Sequence, residues 1–197
     1  MENVFPLREG IDYSNLRMTP EGLYSVTRRR DAENILSFLR SRISDISKRS
    51  ITDATACVGG DTIHFSSYFR KVDSIEWKHD NFVVLRNNVE VYGLKNVILH
   101  EGDATKIFNW KTDVLYVDPP WGGPEYYKQQ RLDLFIGSYR LDNWIEEILI
   151  RETYPKYIVL KVPQNYNFSR LHFLPRIDSI QIYRIRRFAI LLLSTAL

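Results

Sequence analysis

The chain has 197 residues, 44% of them hydrophobic, and a formal net charge of +3, so one domain with a substantial core is expected. The charge is too small to indicate a nucleic-acid partner by itself, and no apolar run approaches the length of a membrane span. A single cysteine excludes an internal disulfide framework, and four scattered histidines have no metal-ligand spacing. The first residues show no signal-peptide pattern, so we expect an intracellular protein, in the nucleus or the cytoplasm.

The first 24 residues carry several interruptions of regular structure, and we expect them to be irregular. The interrupting residues are Pro6, Gly10, Pro20 and Gly22. A helix is predicted next, because Ile35, Leu36, Leu39 and Ile43 recur at helical spacing. We therefore divide the chain into an N-terminal extension with one helix, residues 1–49, and a main domain, residues 50–197.

Short strands alternate with helices from about residue 50 onward. The seven predicted strands are "SITDATA", "KVDSIEW", "NVILHEGD", "TDVLYVDPPW", "KYIVLKVP", "SIQIYRIRR" and "FAILLLSTA". This alternation predicts an α/β fold with a mostly parallel seven-stranded sheet and helices on both faces. The last two strands are too close for a helical crossover, so they must run antiparallel and form an antiparallel edge.

In such a sheet, ligands bind outside the carboxyl ends of the strands. The first strand leads into "DATACVGGDT", in which Gly59 and Gly60 permit positive φ and a close backbone approach to a ligand, although a plain strand-to-helix turn explains them equally well. Glu76 ends the second strand, where an acid can accept hydrogen bonds from a ribose diol or lie at the surface. Asp103 follows the third strand and can accept from an adenine amine, cap the next helix, or do both.

The fourth strand ends in "DPPW", Asp118 to Trp121, which is the motif with the most chemistry. Two prolines fix two φ angles and remove two N–H donors. The Asp118 carboxylate and the Pro119 carbonyl then present acceptors that can hold both hydrogens of an amine on a base. Trp121 can stack on that base, a contact of about 1–3 kcal/mol. A structural Pro-Pro turn with a core tryptophan is the alternative.

Together these motifs resemble the Rossmann-like S-adenosylmethionine-dependent methyltransferases, and within them the RNA cap guanine-N2 methyltransferase (trimethylguanosine synthase) family. "PPWGGPEY" is similar to that family's PPWGGP-[DE]-Y, "VGGDTIHF" to its VGGNTIQF and "LRNNVEVYGL" to its ARNNAEVYGI. "EGLYSVT" resembles its E-G-W-F-S-V-T segment. The likeness runs from about Arg17 to Asn165.

The resemblance implies S-adenosyl-L-methionine as the cofactor and a set of residues that bind it. Asp53 and Gly59–Gly60 would line its methionine end, Glu76 would hold the ribose and Asp103 the adenine. From the extension, Tyr24 and Thr27 would close over the cofactor and the cap site.

The same resemblance implies a catalytic motif of Asp118, Pro119, Pro120 and Trp121, in which Asp118 also borders the cofactor. Trp121 would stack on the cationic 7-methylguanine of the cap. Further substrate contacts are implied for Arg17, Tyr126, Lys161, Gln164 and Asn165. No metal is implied.

Three departures from the family pattern bear on these roles. Cys57 replaces a glycine and would crowd the cofactor turn, and Gln164 replaces an arginine, whose charge Lys161 could supply. Asp118 stands where the family often has serine, and its added negative charge would favour a cationic base.

The resulting hypothesis is methylation of the N2 amine of the 7-methylguanosine cap, with capped RNA as partner, no membrane, and no indication of the oligomeric state. Two alternatives stay open: an amino-methyltransferase acting on adenine, cytosine or guanine in DNA or other RNA, and an inactive RNA-binding or partner-binding module. Trp121 with the "GGPEY" tail opposes the first, and the intact acidic residues oppose the second.

Overall fold

The computed structural model describes residues 1–123 and 125–196 and divides them between two units, residues 1–104 and the residues from 105 onward. The first unit contains four helices and three strands, in chain order α1 (Pro20–Ser25), α2 (Arg29–Arg42), β1 (Ser50–Asp53), α3 (Gly60–Ser66), β2 (Lys71–Glu76), α4 (His79–Val91) and β3 (Val97–Glu101). Short 3-10 helices occur at Tyr13–Asn15 and Ile46–Lys48, and a one-turn helix, α5 (Ala104–Ile107), follows β3.

The second unit contains six strands and one regular helix among its described residues. They are β4 (Val114–Val117), β5 (Phe135–Ile136), β6 (Tyr139–Arg140), α6 (Leu141–Leu149), β7 (Tyr157–Pro163), β8 (Ile177–Ile185) and β9 (Phe188–Thr195). Short 3-10 helices lie at Tyr126–Lys128 and Ser169–Phe173.

The main sheet has seven strands in the order β3-β2-β1-β4-β7-β9-β8. β1 pairs with β2, β2 with β3, and β4 with β7, all in parallel. β9 runs antiparallel to both β7 and β8, and it lies one position inside the edge. The predicted mostly parallel sheet and the antiparallel closing pair are confirmed.

The central strands are short apolar runs because the sheet buries them. All four residues of β1 and of β4 are buried, as are six of the seven residues of β7. Continuous burial is typical of parallel strands whose two faces are both covered. β8, at the edge, leaves most of its residues partly or fully exposed.

Strand register places the polar ends of these strands together within each unit. In the first unit, Asp53 pairs with Ser74 and Glu76 with Glu101. In the second, Val117 pairs with Leu160, so Asp118 and Lys161 follow at neighbouring positions.

Two local predictions are wrong, each for a physical reason. Residues Pro20–Ser25 form a helix although they contain Pro20 and Gly22: proline is tolerated at the first helical position, and Thr19 accepts a hydrogen bond from the Gly22 N–H. β1 ends at Asp53 rather than at Ala56, because the Asp53 carboxylate turns the chain by accepting from the Thr55 N–H.

The structure also contains a small β5–β6 hairpin, which the strand pattern of the sequence did not predict. Phe135 pairs with Arg140 and Ile136 with Tyr139. The two residues between these strands begin with Gly137, whose φ is +57°. Glycine adopts this left-handed conformation without the steric cost that other residues incur.

The extension shares a core with the main domain rather than lying on its surface. Phe5 is fully buried in a cluster that also contains Val4, Ile63 and Leu85. His64 of α3 contacts the Val4 carbonyl through Nε2 at 3.1 Å, and the Arg29 N–H donates to the Asn3 carbonyl. The predicted division of the chain at residues 49 and 50 stays a prediction.

Burial makes His64 a source of pH-dependent stability. Desolvation lowers the pKa of His64 below its ordinary value of 6.5, against the Val4 contact and the nearby Asp61 and Glu33, while Arg29 assists the lowering. The folded state therefore favours neutral His64. Its contribution to stability is full above about pH 6.5 and falls at lower pH, because the unfolded chain then takes up the proton first.

We predict that acidification to about pH 5.5 lowers the melting temperature more in the wild-type protein than in His64→Gln, since glutamine keeps a donor but does not titrate. A loss of about 1 kcal/mol lowers the melting temperature by roughly 2–4 °C at this chain length. Calorimetry of both proteins at several pH values measures the difference. Parallel curves would show that His64 does not contribute to the pH dependence.

Candidate active site

The turn between β1 and α3 depends on Gly59. Its φ is +94°, and a Cβ at this position would lie 2.8 Å from the Leu85 Cδ1. Its N–H donates to the Ala56 carbonyl, and its carbonyl accepts from the Ile63 N–H. Both the backbone conformation and the packing therefore require glycine.

Gly60 has no side chain, and this allows the extension to pack against it as well as a ligand to approach it. A Cβ on Gly60 would lie 2.4 Å from Val26 Cγ2, a distance that real atoms do not adopt. The segment after α1 thus packs directly on the glycine turn. The family resemblance implies that Gly60 lines the cofactor, and that role stays a prediction beside its role in packing.

Asp53 lies fully buried where β1 ends. Its carboxylate accepts from Thr62 Oγ1 at 2.7 Å and from the Thr55 N–H at 3.2 Å, and Thr62 Oγ1 lies 2.9 Å from Ser74 Oγ. Asp53 therefore shapes the turn from within. The predicted contact of Asp53 with the cofactor stays a prediction.

Glu76 is a buried acid, not a surface residue at a strand end. Its Oε2 accepts from the Cys57 N–H at 2.8 Å and its Oε1 from the Lys78 N–H at 2.7 Å. Burial raises the pKa of Glu76, whereas these backbone donors oppose the rise and nearby Glu21 adds to it. Because a carboxylate has about four acceptor positions, it can also receive hydroxyl donors. These acceptor positions fit the hydroxyl groups of the ribose of an adenosyl cofactor.

Asp103 is half-buried and directly precedes α5. The neighbouring Gly102 N–H donates to the Glu76 carbonyl at 2.9 Å. The chain after β3 is thereby joined to the end of β2, so two predicted cofactor residues belong to adjacent backbone segments.

The predicted extension residues differ in exposure. Tyr24 in α1 is 89% exposed. Thr27 is buried, and its Oγ1 donates to Asp61 Oδ2 at 2.7 Å. The Arg17 side chain is exposed, whereas its backbone is held by Asn88. The structure therefore fixes the positions of Thr27 and the Arg17 backbone without a ligand contact.

Asn88 is an important residue that the sequence analysis missed. It is fully buried in α4. Its Oδ1 accepts from the Arg17 N–H at 2.9 Å and from Asn87 Nδ2 at 3.2 Å. Its Nδ2 donates to the carbonyls of Arg17, at 3.0 Å, and Val58, at 2.9 Å. The available signal was the pair of asparagines in "LRNNVEVYGL", one of which lies on the apolar face of an amphipathic helix.

In the second unit, Asp118 follows β4 and is paired with a buried lysine. Lys161 Nζ lies 2.6 Å from Asp118 Oδ2, and the two side chains are 6% and 16% exposed. Pro119 is buried and Pro120 is exposed. The sequence analysis did not foresee this ion pair, although a lysine in the apolar strand "KYIVLKVP" signalled a buried charge that needs a partner.

Trp121 is held by two aromatic neighbours. Its ring centroid lies 5.2 Å from that of Tyr126 in an edge-to-face arrangement and 6.3 Å from that of Phe188. Such geometries are favourable for aromatic pairs. The orientation of Trp121 is therefore set by the protein, as a stacking platform requires. Pro124, in the same motif, lies outside the described residues.

Asn165 and Gln164 support neighbouring backbone. Asn165 Nδ2 donates to the carbonyls of Tyr126, at 2.9 Å, and Gln129, at 2.8 Å, and so fixes the 3-10 helix that carries Tyr126. Gln164 Nε2 donates to the Arg186 carbonyl in the β8–β9 turn. Substrate contacts for these two residues, Lys161, Tyr126 and Arg17 stay predictions.

The structure describes residues 1–123 and 125–196, and two kinds of feature are absent from them. They contain no group of three or more His, Cys, Asp or Glu side chains arranged to hold a metal ion. Within the same residues, no helix has the length and apolar character needed to cross a membrane.

Comparison with known proteins gives a consistent set of relatives. The model of a family described as RNA cap guanine-N2 methyltransferase matches residues 48–189. An uncharacterized protein of Acanthamoeba polyphaga mimivirus is 31% identical over 156 residues, 77% of this chain and 59% of that protein. Trimethylguanosine synthase of Saccharomyces cerevisiae is 30% identical over 131 residues, 63% of this chain and 41% of that enzyme. The chain thus spans about half the length of these relatives.

Among solved structures, a T. thermophilus 16S rRNA N2 methyltransferase in complex with AdoMet and guanosine has a TM-score of 0.67 at 15% identity, over 84% of this chain and 43% of that chain. The fold and the family together define the class, that of the Rossmann-like S-adenosylmethionine-dependent methyltransferases. Within this class, the chain belongs to the RNA cap guanine-N2 methyltransferase family.

Cys57 shows the cost of one departure from the family pattern. Its φ is +48°, in the left-handed region where a side chain costs roughly 1–2 kcal/mol. We predict that Cys57→Gly raises the free energy of unfolding by about 0.5–1 kcal/mol, because relief of strain exceeds the added entropy of the unfolded chain. The hydrogen bond from residue 57 to Glu76 is retained, since it uses the backbone.

Denaturant unfolding measures this change, with Cys57→Ala as the matched control. Alanine keeps the Cβ and should give no comparable gain. Equal stabilities of the two variants would show that the left-handed conformation at residue 57 carries no measurable strain.

Proposed function

We propose that the chain transfers a methyl group from S-adenosylmethionine to the exocyclic N2 amine of the 7-methylguanosine cap of RNA. The observation that carries the proposal is the arrangement after β4, where the Asp118 carboxylate precedes two prolines and Trp121 is fixed by aromatic neighbours. The same proposal places the protein inside the cell, in the nucleus or the cytoplasm, where capped RNA occurs.

The proposed chemistry of the amine follows from its acceptors. Asp118 and the Pro119 carbonyl each accept one hydrogen of the amine, which directs its lone pair toward an electrophile. The prolines keep these acceptors in place because they fix φ and donate no hydrogen bond of their own. Preorganised acceptors stabilise the positive charge that develops on nitrogen. Holding the amine in line supplies much of the rate enhancement.

The proposed cofactor site uses residues of the first unit. Glu76 binds the ribose and Asp103 the adenine, while the backbone near Gly59 and Gly60, shaped by Asp53, faces the methionine end. Tyr24 and Thr27 close over the ligand. When bound, S-adenosylmethionine supplies a methyl group on a sulfonium, a strong donor that needs no covalent enzyme intermediate. The buried, backbone-bonded state of Glu76 supports this assignment.

A second candidate is methylation of guanine N2 in other RNA. The ion pair of Lys161 with Asp118 favours it, because the ammonium cancels the carboxylate charge that would attract a cationic base. An rRNA N2 methyltransferase with the same fold accords with this possibility.

Mass spectrometry of 7-methylguanosine cap dinucleotide, after incubation with protein and cofactor, tests the proposal. We expect a product one or two methyl groups heavier. Unmethylated cap dinucleotide, structured RNA and DNA serve as parallel substrates. Product on RNA or DNA with none on the cap dinucleotide would establish one of the rival substrates, and failure to bind S-adenosylmethionine in calorimetry would favour an inactive module.

Replacement of the stacking residue separates cap binding from cofactor binding. Trp121→Ala should weaken cap-dinucleotide binding by roughly 5- to 150-fold, which corresponds to the 1–3 kcal/mol of one stacked base. Cofactor affinity should stay nearly unchanged. Calorimetry with each ligand measures both constants.

Trp110→Ala is the matched control, since Trp110 is also half-buried and packs edge-to-face on an aromatic ring, Phe108. It should leave cap affinity unaltered. Equal losses of cap and cofactor affinity in Trp121→Ala would contradict the stacking role.

A further inference from the structure

Lys161 is a charged residue inside a buried strand. Every residue of β7 from Ile158 to Pro163 is buried, and the Lys161 side chain is 6% exposed. An isolated buried ammonium is very unfavourable, so such a group is paired or neutral. The contacts of Lys161 therefore explain why a lysine occupies this position.

Those contacts join Lys161 to the motif that the proposed function uses. Its Nζ lies 2.6 Å from Asp118 Oδ2. The same Nζ lies 5.6 Å from the ring centroid of Trp121 and 5.3 Å from that of Phe188. One ammonium group thus touches the proposed amine-holding acid and approaches the ring that is proposed to stack on the base.

The charge of the pair has a direct consequence for the base. Asp118 alone would attract the positive charge of 7-methylguanine, as the sequence suggested. Lys161 cancels the negative charge of Asp118, because its ammonium lies within hydrogen-bonding distance of the carboxylate. In addition, the Lys161 ammonium lies within 6 Å of the Trp121 ring centroid. It therefore makes a cation–π interaction with the ring on which a cationic base would stack. Both effects reduce the advantage of a cationic guanine over a neutral one.

The pair also orients the acid. The short contact from Lys161 Nζ to Oδ2 fixes the rotation of the Asp118 carboxylate. A charge-assisted hydrogen bond of this kind is among the stronger ones in proteins.

We propose that Lys161 is a positioning and specificity-determining residue, which orients the Asp118 carboxylate and cancels its charge, so that the site discriminates weakly between 7-methylguanine and unmethylated guanine. The inference rests on the proposed function, because it requires that a guanine stacks on Trp121. It gives Lys161 a role at the base, beyond supplying the charge of the arginine that Gln164 replaces.

A series of four proteins with defined charge at this pair tests the proposal. With every remaining group ionised, the formal charge of the pair is zero in the wild type, −1 in Lys161→Met, +1 in Asp118→Asn and zero in the double variant. The readout is the ratio of the dissociation constants of unmethylated and 7-methylated cap dinucleotide, measured by calorimetry. A ratio is insensitive to a general loss of affinity that a merely structural role would produce.

We expect Lys161→Met to raise the preference for the 7-methylated ligand by about tenfold. This factor corresponds to the free energy of one cation–π interaction. Asp118→Asn should lower it, and the double variant should return near the wild-type ratio. Lys161→Arg should also keep that ratio. Lys156→Met is the matched control, since Lys156 Nζ lies 6.0 Å from the Tyr157 ring; it should change nothing.

The outcomes separate the two proposals. If the wild type binds neither dinucleotide, the proposed function fails and this inference fails with it. If the wild type binds both and the ratio stays constant across the series, only the role of Lys161 is overturned. Should a single variant unfold, the comparison of Lys161→Arg and the double variant with the other single variant still decides the matter.

Discussion

A buried amide organises the first unit. Asn88 fills all four of its hydrogen-bonding positions, and three of the partners are backbone groups of Arg17 and Val58. Leaving any of these groups unsatisfied in the interior would cost roughly 1–3 kcal/mol. One side chain therefore joins the extension, α4 and the glycine turn, and the path of the chain before Gly60 depends on this junction. The turn keeps its shape because the neighbouring backbone groups of Arg17 and Val58 are hydrogen-bonded to Asn88. Glycine is flexible and would not hold this shape by itself.

The sequence predicted the sheet well because the information is periodic and local. Alternating apolar runs and amphipathic helices identify parallel strands, and the short gap between β8 and β9 requires an antiparallel pair. The elements that were not predicted contain residues whose effect on the backbone depends on their position in the element. Pro20 predicts an interruption of regular structure but begins a helix, and the two-residue turn that begins at Gly137 belongs to a hairpin that no strand pattern indicated.

The candidate site was predicted in its residue types but not in its pairings. Glu76 and Asp118 were recognised from their places at strand ends, whereas the ion pair of Asp118 with Lys161 joins residues on different strands. Only the register of β4 against β7 brings those residues together. Gly60 shows the same limit: its motif indicated a ligand, and its packing against Val26 could be seen only in three dimensions.

The position of Cys57 has a practical consequence. Cys57 is the one cysteine of the chain. It lies in the turn after β1, and its backbone N–H donates to the Glu76 carboxylate. A maleimide dye or a fluorine label directed at sulfur therefore attaches at a single, known place. Its spectroscopic signal reports on the turn and on the end of β2 without any further mutation.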